Sequence, residues 1–355
     1  LDLMTEAKDD FIRELYALLP PEFAKDARIQ FCGPAGTDAV EAAMKLVRTA
    51  TGRSNMMAFH GAYHGMTQGA LSLMGNLGPK ASLGGLASSA QFLPFPYDYR
   101  CPFGVGGEAG ERIGLHYIEN QLTDPESGVM PPAGMILEPL QGEGGVVPTS
   151  ANWLREVRRI TRDAGVPLIL DEIQCGVART GKPFAFQHAG IVPDVLVLSK
   201  AIGGSQPMAV VVYNKSLDVW KPGSHAGTFR GNQLAMVAGS TTLRIVREQQ
   251  LDQHAAAMGE RLTQHLRALQ KDYPQMGDVR GMGLMLGMEI TNRQRQPDGE
   301  LAGKLVSAAE DEGLLLLRCG THGQVVRWLP PLTVQNTDID DAMRAFERAL
   351  TRAGA

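Results

Sequence analysis

Five short apolar runs punctuate the first two thirds of the chain: MMAF from Met56, GMILEP from Gly134, VPLILDE from Val166, VLVLSK from Val195 and MAVVVY from Met208. Their hydrophobicity is continuous rather than alternating, which is how strands covered on both faces of a parallel sheet read. Between them lie segments of helical period, such as the one whose Val40, Ala43, Met44 and Val47 fall at i, i+3, i+4 and i+7. This alternation predicts an α/β unit with a central, mostly parallel sheet over residues 1–250. The pattern then changes. A helical stretch over 251–269, a Gly-rich turn and strand in RGMGLMLGMEI from Arg280, a helix over 301–312, two short strands and a final helix from Asp338 predict a smaller α+β unit over 251–355. The stretch 77–111, rich in Gly, Pro, Ser and aromatics, is too long for a mere connection and is expected to line a site.

Composition narrows the function classes. The 355 residues allow two or three folding units, and 44% hydrophobic with 20% charged residues describes a chain with a large core rather than a disordered one. Lys plus Arg number 34 against 38 Asp plus Glu, a net charge of −4 with no block of one sign, so nothing recruits nucleic acid or an anionic membrane by electrostatics. Cys32, Cys101, Cys175 and Cys319 are far apart with no C-x-x-C pair, so a reduced, cytoplasmic protein without a metal site is expected. No apolar stretch approaches the roughly 18 to 20 residues of a membrane span. The chain opens at Leu1, without Met, directly in a helical pattern of Leu3, Ala7, Phe11 and Leu15, and an N-terminal segment of a longer product is expected to be absent.

Two nucleotide-binding patterns fail on inspection. GVARTGKP from Gly176 starts like a phosphate-cradling loop, but Pro183 stands where a magnesium-binding Ser or Thr is needed, and RGMGLMLG from Arg280 holds only G-x-G. Two strand ends are more informative. VPLILDE places Asp171 at the carboxyl end of a buried strand, where open α/β sheets bind ligands, and VLVLSK does the same for Lys200. Each alone reads as a cap or a solvated charge. Their separation of 29 residues fits one βαβ repeat, which would bring an acid and an amine to one edge. A lysine in a dry pocket is a usable Schiff-base partner, and the acid then has a target in the ring nitrogen of pyridoxal 5'-phosphate (PLP). GPAGTDAVEAAMKLV from Gly33 supplies a turn opening into an amphipathic helix, where the amides of Gly36 and Thr37 suit a phosphate, although ordinary capping by Thr37 or Asp38 explains them equally well. Tyr63 in HGAYHG offers a flat cover for a ring or is a plain packed tyrosine, and His64 beside it is equally open.

The motifs GPAGTDAVEAA, FHGAYHG, EPLQGEGG, LILDEIQCGVARTG, LSKAIGG, HAGTFRGNQLA and VVRWLPPLT occur in the order and spacing of the class III (ω-) aminotransferases, and the resemblance spans Leu1 to Thr333. It implies a fold-type I PLP-dependent transferase. It implies further that Lys200 forms the Schiff base with the cofactor and that Asp171 pairs with the ring nitrogen. Gln174 would hydrogen-bond the ring oxygen, Tyr63 would stack on the ring, and Gly36 and Thr37 would hold the phosphate. Thr228 would reach the phosphate of the neighbouring subunit, making a homodimer with shared active sites. Arg327 would grip the α-carboxylate of glutamate, and Glu143, with Glu138 nearby, would pair with that arginine when an amine substrate is bound. Within the family the variants GPAGTDAVEAA, YHGMT and GTFRGNQLA resemble the diaminobutyrate aminotransferases, which interconvert L-2,4-diaminobutyrate and 2-oxoglutarate with aspartate 4-semialdehyde and glutamate.

Met66 stands where the 4-aminobutyrate and ornithine enzymes usually carry Arg, which counts against a second carboxylate clamp. The rivals are another ω-aminotransferase with a 4-aminobutyrate, ornithine or β-alanine donor, a PLP aminomutase, and a catalytically silent relative kept as a binding subunit.

Overall fold

The computed structural model describes residues 3–83, 85 and 90–354. Nine strands precede residue 215: β1 (Ala27–Phe31), β2 (Met56–Phe59), β3 (Ala90–Leu93), β4 (Gly134–Leu137), the two-residue β5 (Leu140–Gln141) and β6 (Val147–Pro148), β7 (Leu168–Asp171), β8 (Val195–Leu198) and β9 (Val210–Asn214). Seven of them form one sheet in the order β1-β9-β8-β7-β4-β2-β3. The run from β8 to β3 is parallel throughout, and β9 alone runs against its neighbours. Because β1 is antiparallel to β9, its carboxyl end returns to the same edge as those of β2, β4, β7 and β8, with Phe31 and Leu198 both opposite Val210.

Alternate residues of each strand enter two different cores. Met57, Leu137, Leu170 and Leu198 belong to one, with Phe11, Trp153 and Phe186, while Met56, Ile136, Ile169 and Val197 belong to the other, under the helix Gly36–Thr51. Both faces are dry, which is the physical origin of the continuous apolar runs. The edge strand β1 escapes that signature because Arg28 and Gln30 interrupt it and Arg28 is exposed.

A second sheet has the order β10-β11-β13-β12, built from β10 (Met276–Met282), β11 (Met285–Ile290), β12 (Leu317–Cys319) and β13 (Val325–Trp328). The expected single strand of RGMGLMLGMEI is therefore a hairpin: Gly281 and Gly283 adopt positive φ and turn the chain, and β10 begins upstream at Met276. Helices Leu251–Asp272, Gly299–Asp311 and Asn336–Ala353 pack on this sheet around Leu266, Leu286, Leu305 and Phe346. Leu251 joins the larger core and Ala255 the smaller one.

The turn that follows β8, Lys200–Gly203, rests on the helix Gln233–Glu248. Contact is made at Gly239, where an added Cβ would collide with the backbone oxygen of Ile202. Overpacking of this kind costs about 1–3 kcal/mol. Gly239→Ala should lower the denaturant midpoint by a corresponding amount, and an unchanged midpoint would show that helix and turn are not so closely apposed.

Candidate active site

The carboxyl ends of β1, β2, β4, β7 and β8 deliver Gly36 and Thr37, Tyr63 and His64, Glu138 and Glu143, Asp171 and Gln174, and Ser199 and Lys200 to one cavity of about 300 Å3. Asp171 ends β7 and is only 3% exposed. Its Oδ2 lies 2.8 Å from His64 Nδ1, and its Oδ1 accepts the Ile173 N–H at 3.0 Å. His64 Nε2 is buried and has no hydrogen-bond partner among the described residues.

Two further buried acids flank this pair. Glu138, directly after β4, accepts the amides of Tyr63 at 3.0 Å and Gly142 at 2.9 Å, and burial pushes its carboxyl up to about 7. Glu172 accepts the amides of Ala185 at 2.6 Å and Phe186 at 2.8 Å, and burial pushes it up to about 8. Sequence reasoning passed over Glu172 and noted Glu138 only as a neighbour of Glu143. Their only signal was position, immediately after a predicted strand or beside Asp171.

At the start of the helix Gly36–Thr51, Asp38 reaches back to accept the Ala35 N–H at 3.0 Å. Thr37 Oγ1 lies 2.7 Å from Thr67 Oγ1, which donates to Glu41 at 2.6 Å. The capping alternative is thus met by Asp38 at the Ala35 amide. The next amides, Gly36 and Thr37, have no intrahelical acceptor because they open the helix, and both residues line the cavity. Their orphan N–H groups and the helix dipole favour an anion there.

Lys200 opens the turn after β8 with φ of 48°, a left-handed conformation unusual for a side chain of its size. Ser199 before it is anchored by its Oγ donating to Met208 O at 2.9 Å. The dry pocket expected around Lys200 is not supplied by the described residues. The residue lines the cavity and is exposed. What the fold provides is its placement just beyond β8, three residues after Val197, which is the residue paired with Asp171.

At the mouth, Glu143 is ion-paired with Arg327 of β13, and Gln174 Nε2 donates to Glu143 Oε1 at 3.4 Å. Tyr63 and Met66 are partly exposed on the wall. Thr228 lies on an exposed stretch and does not line this cavity. A second cavity of about 650 Å3 shares Tyr63 and Glu143 and is lined also by His60, Asn76, Lys80 and Phe92. The stretch 77–111 thus lines a cavity, with a short 3-10 turn and β3 within it; residues 84 and 86–89 of that stretch lie outside the described residues.

The raised carboxyl of Glu172 carries a pH signature. Its folded value of about 8 exceeds the usual 4.5, so its contribution to stability is fully present below about 4.5 and is lost as pH rises toward 8. The stability difference between Glu172→Gln and the native chain should therefore shift in favour of the variant as pH rises from 5 to about 8.5. Chemical denaturation at several pH values measures this, and a constant difference would mean that Glu172 does not titrate in that window.

Comparison with known proteins follows this geometry. The model of the family described as aminotransferase class-III matches residues 3–350. The chain is 52% identical over 362 residues to the diaminobutyrate--2-oxoglutarate aminotransferase of Rhizobium meliloti (strain 1021), covering 100% of this chain and 77% of that protein. It is 48% identical to the protein of the same name from Haemophilus influenzae, covering 99% and 79%. Among solved structures, a thermostable (S)-enantioselective omega-transaminase from Thermomicrobium roseum superposes with a TM-score of 0.88 at 27% identity, over 98% of this chain and 80% of that one. A PLP-bound amine transaminase from an uncultivated Pseudomonas species gives 0.88 at 26% identity, over 100% and 83%. The edge that gathers Asp171 and Lys200, and the family match over nearly the whole chain, lead to one conclusion: this chain belongs to the class-III aminotransferases.

Proposed function

We propose that this aminotransferase binds PLP in the cavity between Asp171 and Lys200 and moves the 4-amino group between L-2,4-diaminobutyrate and 2-oxoglutarate, with aspartate 4-semialdehyde and glutamate on the other side. The observation that carries the cofactor is the donor set. Unpaired helix amides for a phosphate, a buried carboxylate for a ring nitrogen, an aromatic side chain and a primary amine converge on one cavity. The donor is carried by the names of the relatives at 52% and 48% identity, and by Met66 on the cavity wall, which offers no second carboxylate clamp.

PLP, when bound, supplies an electron sink that stabilises the carbon from which a proton leaves. The protein does the rest. Asp171 holds the proton at the ring nitrogen, and His64 orients Asp171. Tyr63 covers the ring, Gly36 and Thr37 bind the phosphate, and Gln174 bonds the ring oxygen. Lys200 Nζ would hold the cofactor and, as a free amine, would carry the proton away from C4 of diaminobutyrate. Thr228 reaches the phosphate of a second subunit, so that a homodimer carries two shared sites.

The pair Glu143–Arg327 then acts as a switch. With diaminobutyrate bound, Glu143 neutralises Arg327, as it does here. With glutamate or 2-oxoglutarate bound, Arg327 turns to the substrate α-carboxylate, for which a guanidinium fork is the best partner. One site thus serves both half-reactions in turn, which gives ping-pong kinetics.

An absorbance spectrum tests the proposal. PLP-loaded protein should lose its yellow band on addition of L-2,4-diaminobutyrate without keto acid and regain it with 2-oxoglutarate. Response only to another amine would move the specificity; a protein that stays colourless with PLP would overturn the cofactor. Lys200→Ala should keep its far-UV circular dichroism and lose turnover, and native-like turnover would remove Lys200 from the chemistry.

A further inference from the structure

The turn Gly142–Val146 that carries Glu143 is an unusual piece of chain. The amides of Gly145 and Val146 both donate to Gly142 O, at 3.2 and 3.1 Å. Gly145 has φ of 125°, and Val146, a β-branched residue, has φ of 51°. Such a conformation persists only where its surroundings over-determine it.

Those surroundings are the smaller sheet. Arg280 of β10 is paired with Gly287 of β11, and Gly287 is paired with Arg327 of β13. Residues directly opposite in antiparallel strands point to one face, so two arginines flank a glycine in one cross-strand row. Val146 docks into the gap, where a Cβ on Gly287 would lie 2.8 Å from that of Val146. On one side Arg327 grips the Glu143 carboxylate. On the other, Arg280 Nε donates to Gly145 O at 3.0 Å and Val146 O at 3.2 Å, and its Nη2 donates to Gly145 O at 2.6 Å. The Gly320 amide donates to Glu143 O at 2.9 Å from the far side.

The Arg280 guanidinium is itself fixed. Its Nη1 lies 2.9 Å from Asp278 Oδ2 and 2.9 Å from Glu289 Oε2, and its Cζ sits 4.7 Å from the Tyr97 ring centroid. Glu289 is fully buried and also bonded to Tyr97 and Arg100. Every part of the cluster that holds the turn is therefore anchored outside the reacting cavity.

We infer that Arg280 is a positioning residue for the Glu143–Arg327 switch: by clamping the backbone of the Glu143 turn it sets how readily Arg327 is released to a substrate carboxylate. The inference rests on the switch proposed above. An ion pair whose carboxylate is held in place is a stronger competitor for Arg327 than one on a loose turn, because less ordering entropy is lost in forming it. Loosening the clamp therefore favours the dicarboxylate-binding state over the amine-binding one.

The test uses PLP-loaded protein and glutarate, a dicarboxylate with no amine to react, with affinity read by calorimetry. Glu143→Gln should tighten glutarate binding several-fold. Arg280→Lys, which keeps the charge but loses the planar fork, should also tighten it. Combined with Glu143→Gln it should add nothing. No tightening in Glu143→Gln would overturn the switch itself. Tightening there with none in Arg280→Lys, or the same factor from Arg280→Lys with and without Glu143, would leave the switch standing and overturn the role of Arg280. If Arg280→Lys does not fold, Asp278→Asn, which removes one carboxylate anchor at the more open side of the cluster, carries the same expected signs and the same contradicting results.

Discussion

A carboxylate at the bottom of a cavity is costly unless something compensates its charge, and the placement of Asp171 against His64 is the constraint around which the site is arranged. Three carboxyl groups are buried within a short span of the sheet edge, at Glu138, Asp171 and Glu172. Burial pushes Glu138 and Glu172 upward, to about 7 and about 8. Each of those two is spent on backbone amides that shape the loops around it. Asp171 alone of the three is hydrogen-bonded to an imidazole, in the cavity that also holds Glu138, the start of the helix Gly36–Thr51 and Lys200.

The division of labour between the two sheets follows. The larger one fixes what meets the cofactor, since five strands end at one edge and short loops carry the side chains outward. The smaller one supplies two guanidiniums on either side of Gly287, one for the carboxylate of Glu143 and one for the backbone that bears it. The turn from Gly142 to Val146 is where the two meet. In the proposed mechanism, a change of substrate charge is answered by a local exchange of partners at Arg327.

Much of this was legible in the sequence, and for identifiable reasons. Strands dry on both faces wrote themselves as unbroken apolar runs, and the motifs at their ends named Asp171 and Lys200. The charged edge strand β1 carried no such run. Of the β10–β11 hairpin only the turn and one strand were legible, because β10 is broken by Gly277, Asp278, Arg280 and Gly281 and carries no apolar run. In GVARTGKP, Val177 and Ala178 take positive φ, and Arg179 donates to the backbone oxygens of Leu284 and Pro330, so that segment ties the large sheet to the small one. Partnerships across long sequence separations, such as His64 with Asp171 or Arg280 with Gly145, leave no spacing to read. Exposure of Lys200 likewise depends on which walls surround a turn, not on the run that precedes it.

The most direct test of where the chemistry sits is to load the protein with PLP, reduce it with borohydride, digest it and map the pyridoxyl group by mass spectrometry. A single modified position is predicted, Lys200, in the peptide that follows Val195–Leu198. A pyridoxyl group on another lysine, or none at all, would contradict a site built on the adjoining ends of β7 and β8.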